Sequence, residues 1–379
     1  MHFLRRFSRR QIAAGAGVAA VVLAAAVWLG LGLLSTPEPT PSPSETPSPT
    51  PSPSPSPSPS PTPSATPELA TCPLNGLPVD DPLLLDQVAI SVQIENHPQA
   101  RPARNLSNAD MVVEAPVEGD TTRFSGIFLC RPTVGLTGPI RSARYYVIDL
   151  WQDLHVLPVG FGASGGALSR FAAAGMPYVN GITGSWPWYR RYGTHPAPHN
   201  LYGDMEALRA AIGEGGPIDA LVARVDPLRP PFTFDVDAVM PAGRSVTGLE
   251  IRTNSYWRFG WKLNETGDGW TRQDAGKTVI DEVTEKPVTA VNIIVQRVRQ
   301  EVVLGDPDPG GFPRRLQHLV GEGDGTLYSG GQAIALHWSR PTAADGTEWT
   351  YVDGGEPVIL PPGVVWWEII PITASVTES

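Results

Sequence analysis

The stretch Thr36–Pro67 is almost wholly proline, serine and threonine, with "SPSPSPSPSPTPS" at its heart. Such a segment has nothing to bury and favours extended polyproline II, reaching roughly 90 Å at about 3.1 Å per residue. It divides the chain of 379 residues. Whatever packs into a core must follow it, and residues 35–68 are expected to be a disordered linker or stalk, of the composition that carries O-linked sugars.

What precedes the linker reads as an export device. "MHFLRRFSRRQIAAGAG" holds four arginines and no acid, and Ala13–Leu34 is uncharged and apolar. At helical rise that run is about 33 Å long, enough to span a bilayer. Residues 1–12 are then a cytoplasmic basic segment, residues 13–34 a transmembrane helix or signal sequence, and everything after Leu34 lies outside the cytoplasm. Two fates stay open: a single-pass anchor in the cell membrane, or secretion after cleavage of the twin-arginine-like signal in "SRRQIAAG". A lipid anchor needs a cysteine just after the apolar run, and none is there.

Setting the four N-terminal arginines aside leaves 24 basic residues against 38 acidic ones, a net charge of about −14. That excludes nucleic acid as a partner, because phosphate-backbone binding needs a basic footprint. The two cysteines, Cys72 and Cys130, are expected to form one disulfide in an oxidising compartment, with two buried thiols as the alternative.

Beyond the linker, "QVAISVQIE", "ADMVVEAPVEG" and "TTRFSGIFLC" read as strands, and their apolar continuity predicts a buried sheet. "SARYYVIDLWQDL" has helical periodicity, with Ser142 as the expected N-cap. "GGALSRFAAAG" and "YGDMEALRAAIGEGG" are further helices, the second capped by Asp204. After "VDPLRPPF" helical periodicity disappears and strands and hairpins follow, among them a tight turn at Gly330-Gly331. The expected architecture is an α/β (α+β) N-terminal domain over residues 69–226 and a β-rich C-terminal domain over 227–379. Most of the eleven tryptophans fall in the latter and are expected to pack its core.

The segments "CPLNGLPV", "VQIENHPQARPARNLSNADMVVEAPVEGDTTRFSGIF", "GPIRSARYYVIDL", "APHNLY" and "GDGTLYSGGQAIALHWSR" carry a resemblance. In order and spacing the chain resembles the YerB-like family, domain of unknown function 3048, over essentially everything beyond the linker. The resemblance implies an exported bacterial envelope protein with N- and C-terminal family domains. It implies little chemistry, and the chain departs from lipid-anchored members in lacking the anchoring cysteine.

The polar residues of the first domain gather at expected strand ends. Glu95 and His97 follow the first strand, Glu114, Glu118 and Arg123 surround the next turn, and Arg141 and Arg144 stand before and in the first turn of the expected helix. His199 and Asn200 follow in "APHNLY". Strand ends and helix N-termini favour anions, and guanidinium forks add bidentate recognition of phosphate or carboxylate. Glu114 and Glu118 are the competing answer, an internal Arg-carboxylate network. Pro196 and Pro198 rule out a regular helix carrying His195 and His199, and with no third ligand nearby neither a metal nor a cofactor is expected. No nucleophile elbow or Ser-His-Asp order is present.

Three functions are consistent with this pattern. The leading one is an envelope module binding an anionic, phosphate-bearing ligand through Arg123, Arg141 and Arg144. A structural or adaptor role with an envelope protein partner is the second. The third is a phosphotransferase-like cell-wall enzyme, on a loose fold-level similarity to the LytR-CpsA-Psr family.

Overall fold

The apolar runs after the linker become the centre of a large sheet. The computed structural model describes residues 69–132, 135–184, 186–212, 215–254 and 257–379. The expected membrane segment and linker, residues 1–68, lie outside the described residues; among those described, no helix is long and apolar enough to cross a membrane. Strands β1 (Ile90–Glu95), β2 (Met111–Pro116) and β3 (Thr122–Phe128) are buried at every position, as continuous apolar runs require. Strands β2 and β3 form a hairpin that turns through Gly119 and Asp120, both at positive φ.

Helix α1 (Tyr146–Leu154) leads into β4 (Leu157–Gly160), and α2 (Gly165–Ala174) into β5 (Val179–Asn180). Both strands continue the sheet in parallel with β1. Ser164 caps α2 by accepting from Ala167 N, and Gly175 ends it in the left-handed conformation. Asp204 caps the short α3 (Met205–Ala210) in the same way.

The expectation for α1 needs correction. The helix starts at Tyr146, and the Ser142 hydroxyl donates to Phe161 O (2.9 Å) instead of capping it. The reason lies in the preceding segment. Its backbone is drawn to the sheet by Arg141 N to Gln93 O (2.9 Å) and Phe161 N to Arg141 O (3.0 Å), so Arg141–Ala143 stay outside the helix.

After Val222 the described chain has strands and no helix. Four two-residue strands aside (Thr233–Phe234, Lys277–Thr278, Thr289–Ala290 and Ile359–Leu360), they are β6 (Arg244–Ser245), β7 (Gly248–Arg252), β8 (Arg258–Leu263), β9 (Trp270–Asp274), β10 (Asn292–Val298), β11 (Gln300–Pro307), β12 (Pro313–Gln317), β13 (Gly321–Ser329), β14 (Gln332–Arg340), β15 (Glu348–Tyr351), β16 (Val365–Pro371) and β17 (Ser375–Glu378). The β13–β14 hairpin turns on Gly330 and Gly331, at φ 53° and 73°, values that a two-residue turn of this hand requires. The fold is thus mixed α/β with a β-rich C-terminal region.

Strands from before and after residue 226 share one sheet of order β6-β14-β13-β10-β16-β2-β3-β1-β4-β5, with β15 on β14. The late strand β16 lies between β2 and β10, parallel to both. Consequently β1, β2, β4, β5, β10, β14 and β16 all run the same way, and their C-terminal ends share one edge. Helices α1 and α2 cover one face, with Tyr146, Leu150 and Phe171 beside Trp338, Trp349 and Trp367. A second sheet, built on β9-β8-β7-β17, packs on the other through Phe259, Trp261 and Trp270 against Phe124 and Trp366. Ribbon β11–β12 stands apart as a two-stranded arm. A disulfide joins Cys72 to Cys130, both buried, at the entry to the fold.

Candidate functional site

Pleat and register place the first charges. In the β1–β3 pair Glu95 stands opposite Arg123, and both face the helix-covered side of the sheet. That face of β1 is polar: Ser91, Gln93 and Glu95 are all buried, with Ser125 and Tyr146 hydrogen-bonding around Gln93. The stripe ends at the C-terminal edge, where Arg141 Nε meets Glu95 Oε1 at 3.0 Å.

His199 Nδ1 approaches the same oxygen at 3.1 Å, and its ring stacks on His97 with centroids 4.7 Å apart. His97 Nδ1 accepts from Gln99 N (3.2 Å). Burial, then the neighbouring His199, lowers the basicity of His97. Glu95 is 3 % exposed, and its Oε2 is buried with no hydrogen-bond partner among the described residues. Arg141 keeps 29 % of its side chain open to solvent.

The other two arginines are turned inward. Arg123 is 3 % exposed and donates from Nη1 to Ser142 O (2.9 Å). Burial, reinforced by the like charge of Arg144, brings it down to about 10. Arg144 grips Glu118 with two prongs, Nε to Oε2 at 2.7 Å and Nη2 to Oε1, and spends Nη1 on Ser142 O (3.0 Å) and Ala143 O (3.2 Å). Arg314, on β12, donates to Glu118 Oε1 as well. Burial would raise the Glu118 carboxyl, but Arg144, Arg123 and Arg314 outweigh it and hold it at about 2.

Glu114 goes elsewhere. It shares a face of β2 with Val112, toward the second sheet, where Arg272 Nη2 reaches its two oxygens at 2.7 and 2.8 Å. Trp366 Nε1 (3.1 Å) and Thr122 Oγ1 (2.5 Å) also donate to it. Beside it in register stands Glu368, whose carboxyl burial, and then the Glu114 charge, pushes well above the usual range. The Arg272 guanidinium lies 4.4 Å from the Phe259 ring centroid, a cation–π contact inside the core.

The anticipated cluster therefore splits in three. Glu95, His97, Arg123, Arg141 and His199 come together. Arg144, Arg314 and Glu118 form a second buried group, which touches the first through Ser142 O and through the charge of Arg123, and Glu114 belongs to the opposite face. Asn200 turns outward, its Oδ1 accepting from the exposed Arg191 (2.5 Å). Sequence reasoning missed Arg272, Arg314 and Glu368. The alternation of Trp270 and Arg272 in "WTRQD", two residues on one strand face, was the signal for a buried arginine.

For metal ligation, the described residues bring one group of potential donors close together, Cys72, Asp110 and Cys130. The disulfide occupies both sulfurs, and Asp110 Oδ2 accepts from Leu129 N (2.7 Å) and Cys130 N (2.8 Å).

Comparison with known proteins gives the ancestry. Residues 74–217 match the family described as Protein of unknown function (DUF3048) N-terminal domain, and residues 249–367 its C-terminal domain. "Putative lipoprotein YerB" of Bacillus subtilis (strain 168) is 28 % identical over 301 residues, covering 79 % of this chain and 86 % of that protein. The crystal structure of the YerB protein from Bacillus subtilis superposes with a TM-score of 0.67 at 26 % identity, over 81 % of this chain and 99 % of that one. With both family segments present in order and across more than half its length, the chain belongs to the DUF3048 family.

Proposed function

We propose that this protein is a membrane-tethered extracytoplasmic module that binds an anionic, phosphate-bearing envelope component at the end of β1. The relative described as a lipoprotein supports attachment to a membrane. In this chain the N-terminal apolar segment would take the place of the lipid.

One observation carries the binding reading: Arg141 combines 29 % exposure with incomplete charge compensation. Its partner Glu95 is shared with His199 and lies within reach of the Arg123 charge. Two guanidinium groups thus face one carboxylate, leaving local positive charge in an acidic protein. A phosphoryl oxygen at Arg141 would gain charge-assisted hydrogen bonds, with His97 Nε2 as a flanking donor. Arg144 is left out of the site because Glu118 already answers it.

Calorimetry on the full-length protein in detergent, with inorganic phosphate, pyrophosphate, a sugar phosphate and a lipid pyrophosphate, tests this. The expected result is binding by at least one of them, weakened about tenfold or more in Arg141→Gln, the worth of a charge-assisted hydrogen bond. Binding that is unchanged in Arg141→Gln refutes the site. Absence of binding by all four refutes the ligand class and favours an adaptor role with a protein partner.

The Glu95–His199 contact favours a second, catalytic form of the same reading. A carboxylate that fixes an imidazole is how a general acid or base is oriented. In that case His199→Gln would abolish turnover of the lipid pyrophosphate while leaving its binding within a few-fold. Equal turnover by the variant and its parent removes this form.

A further inference from the structure

Farther along the same sheet edge, β2, β16 and β10 end side by side at Pro116, Pro371 and Val298. The three chains leaving them diverge: one turns back into β3, one runs to β17, and one enters the β11–β12 arm. Their separation opens a cleft of about 290 Å³. The space outside the carboxyl ends of parallel strands is where α/β sheets hold ligands.

We propose that this cleft is a second binding site, for a single sugar ring carrying one oxyanion. The oxyanion half rests on Arg299 and Arg315, which both line the cleft. Neither is committed in the manner of Arg144. The nearest carboxylate oxygen to Arg315 Nη2 is Asp120 Oδ1, at 3.8 Å, beyond a hydrogen bond. Arg299 meets Glu301 at 2.7 Å and His318 Nδ1 at 3.3 Å, but Arg299 and Glu301 are exposed, and such surface pairs are readily exchanged.

The sugar half rests on the remaining polar lining. Gln300 Oε1 accepts from Gln317 Nε2 (3.2 Å), while Gln317 is itself held on Pro116 O (2.7 Å). That fixes the Gln300 amide and leaves its own NH2 to donate. Thr253 and Thr373 add polar lining, and Pro116 and Pro371 supply the apolar backing. The volume lies near the lower end for small-molecule sites, about 300 Å³, which suits one ring and not an oligosaccharide. The site shares no residue with the Glu95–Arg141–His199 cluster, so each stands or falls alone.

The test is ligand-observed NMR and calorimetry on full-length Arg141→Gln protein in detergent, which silences the Glu95–Arg141 site, with glucuronate and glucose 6-phosphate as the two oxyanion sources, and glucose and inorganic phosphate as halves. The expected result is binding of at least one acidic sugar in that background, reduced about tenfold or more when Arg299→Gln/Arg315→Gln is added. Glucose and phosphate should each bind about tenfold more weakly than that sugar. Both arginines are solvent-accessible, so the double variant should keep the parent's urea midpoint. No binding of either acidic sugar up to roughly 10 mM overturns the proposal, as does binding that survives the double variant. Inorganic phosphate binding as tightly as the sugar phosphate overturns the sugar assignment.

Discussion

Arg144→Ala separates an arginine that holds the fold from one that meets a ligand. A carboxyl held at about 2 in the folded protein, against an ordinary 4.5, reports a preference for the charged form in the native state. At neutral pH that difference stabilises the fold by about 3 kcal/mol, contributed jointly by Arg144, Arg123 and Arg314. Arg144 supplies two of the hydrogen bonds to Glu118 and also satisfies Ser142 O and Ala143 O. Its removal should therefore destabilise by about 3 kcal/mol at pH 7, at the lower end for a broken buried pair.

The loss has a defined pH dependence. Because the folded-state value of Glu118 is depressed, its contribution is fully present above about 4.5 and fades as pH falls toward 2. The parent should lose this stability over that window. Arg144→Ala, left with Arg314 and Arg123 against undiminished burial, has less to lose, so the gap between the two should narrow on acidification. Urea unfolding of full-length protein in detergent, followed by tryptophan fluorescence at pH 7, 4.5 and 3, reads both quantities. A loss below about 1 kcal/mol at pH 7, or a gap as wide at pH 3 as at pH 7, would show that Glu118 is not held by this arginine. Arg141→Ala, half-open and engaged by one ion pair, should lose only about 1 kcal/mol in the same assay.

Two further outcomes follow from the core and the entry to the fold. Cys72→Ser/Cys130→Ser removes a link across a sequence separation of 58, worth about 4 kcal/mol in the chain-entropy model, and an unchanged urea midpoint would contradict that role. Arg272→Met leaves Glu114 buried beside Glu368 without its cation and should destabilise by about 3–5 kcal/mol. Adding Glu114→Gln should restore more than half of the loss, and a double variant as unstable as the sum of the singles would show that the two residues do not act as a pair.

The elements were legible where one local rule decided them. Continuous apolar runs gave β1 to β3, Ser164 and Gly175 bounded α2, and the Gly330-Gly331 pair marked the β13–β14 turn, because pleat, cap and turn act within a few residues. The start of α1 was not legible. Ser142 has the chemistry of a cap, but whether it caps depends on Phe161 and Gln93, which reach it from other strands. The grouping of Glu114 with Glu118 failed for a related reason. Glu114 sits within β2, where the pleat sends it toward Arg272, whereas Glu118 lies past Pro116 in a turn that the pleat does not govern. Their partners Arg272 and Arg314 are 158 and 196 residues away, in strands that read as scaffold.

Those distant partners meet because β16 enters the sheet between β2 and β10. The insertion brings the second sheet against one face of the β2–β3 hairpin and the β11–β12 arm against the other. Glu114 receives its cation from the first side, and Glu118, already gripped by Arg144, receives Arg314 from the second, so the later part of the chain reaches the hairpin's two buried acids from opposite directions. Residues 69–226 alone would keep Glu114 without Arg272 and Glu118 without Arg314. The same insertion aligns the C-terminal ends of β1, β2, β10 and β16 on one edge, where Arg141, Arg299 and Arg315 stay partly open to solvent beside the acids Asp120 and Glu301. Burial thus sorts the arginines of an acidic protein: Arg272, Arg144 and Arg314, answered by Glu114 and Glu118 inside the fold, maintain it, whereas Arg141, Arg299 and Arg315 keep part of their surface open at the strand ends.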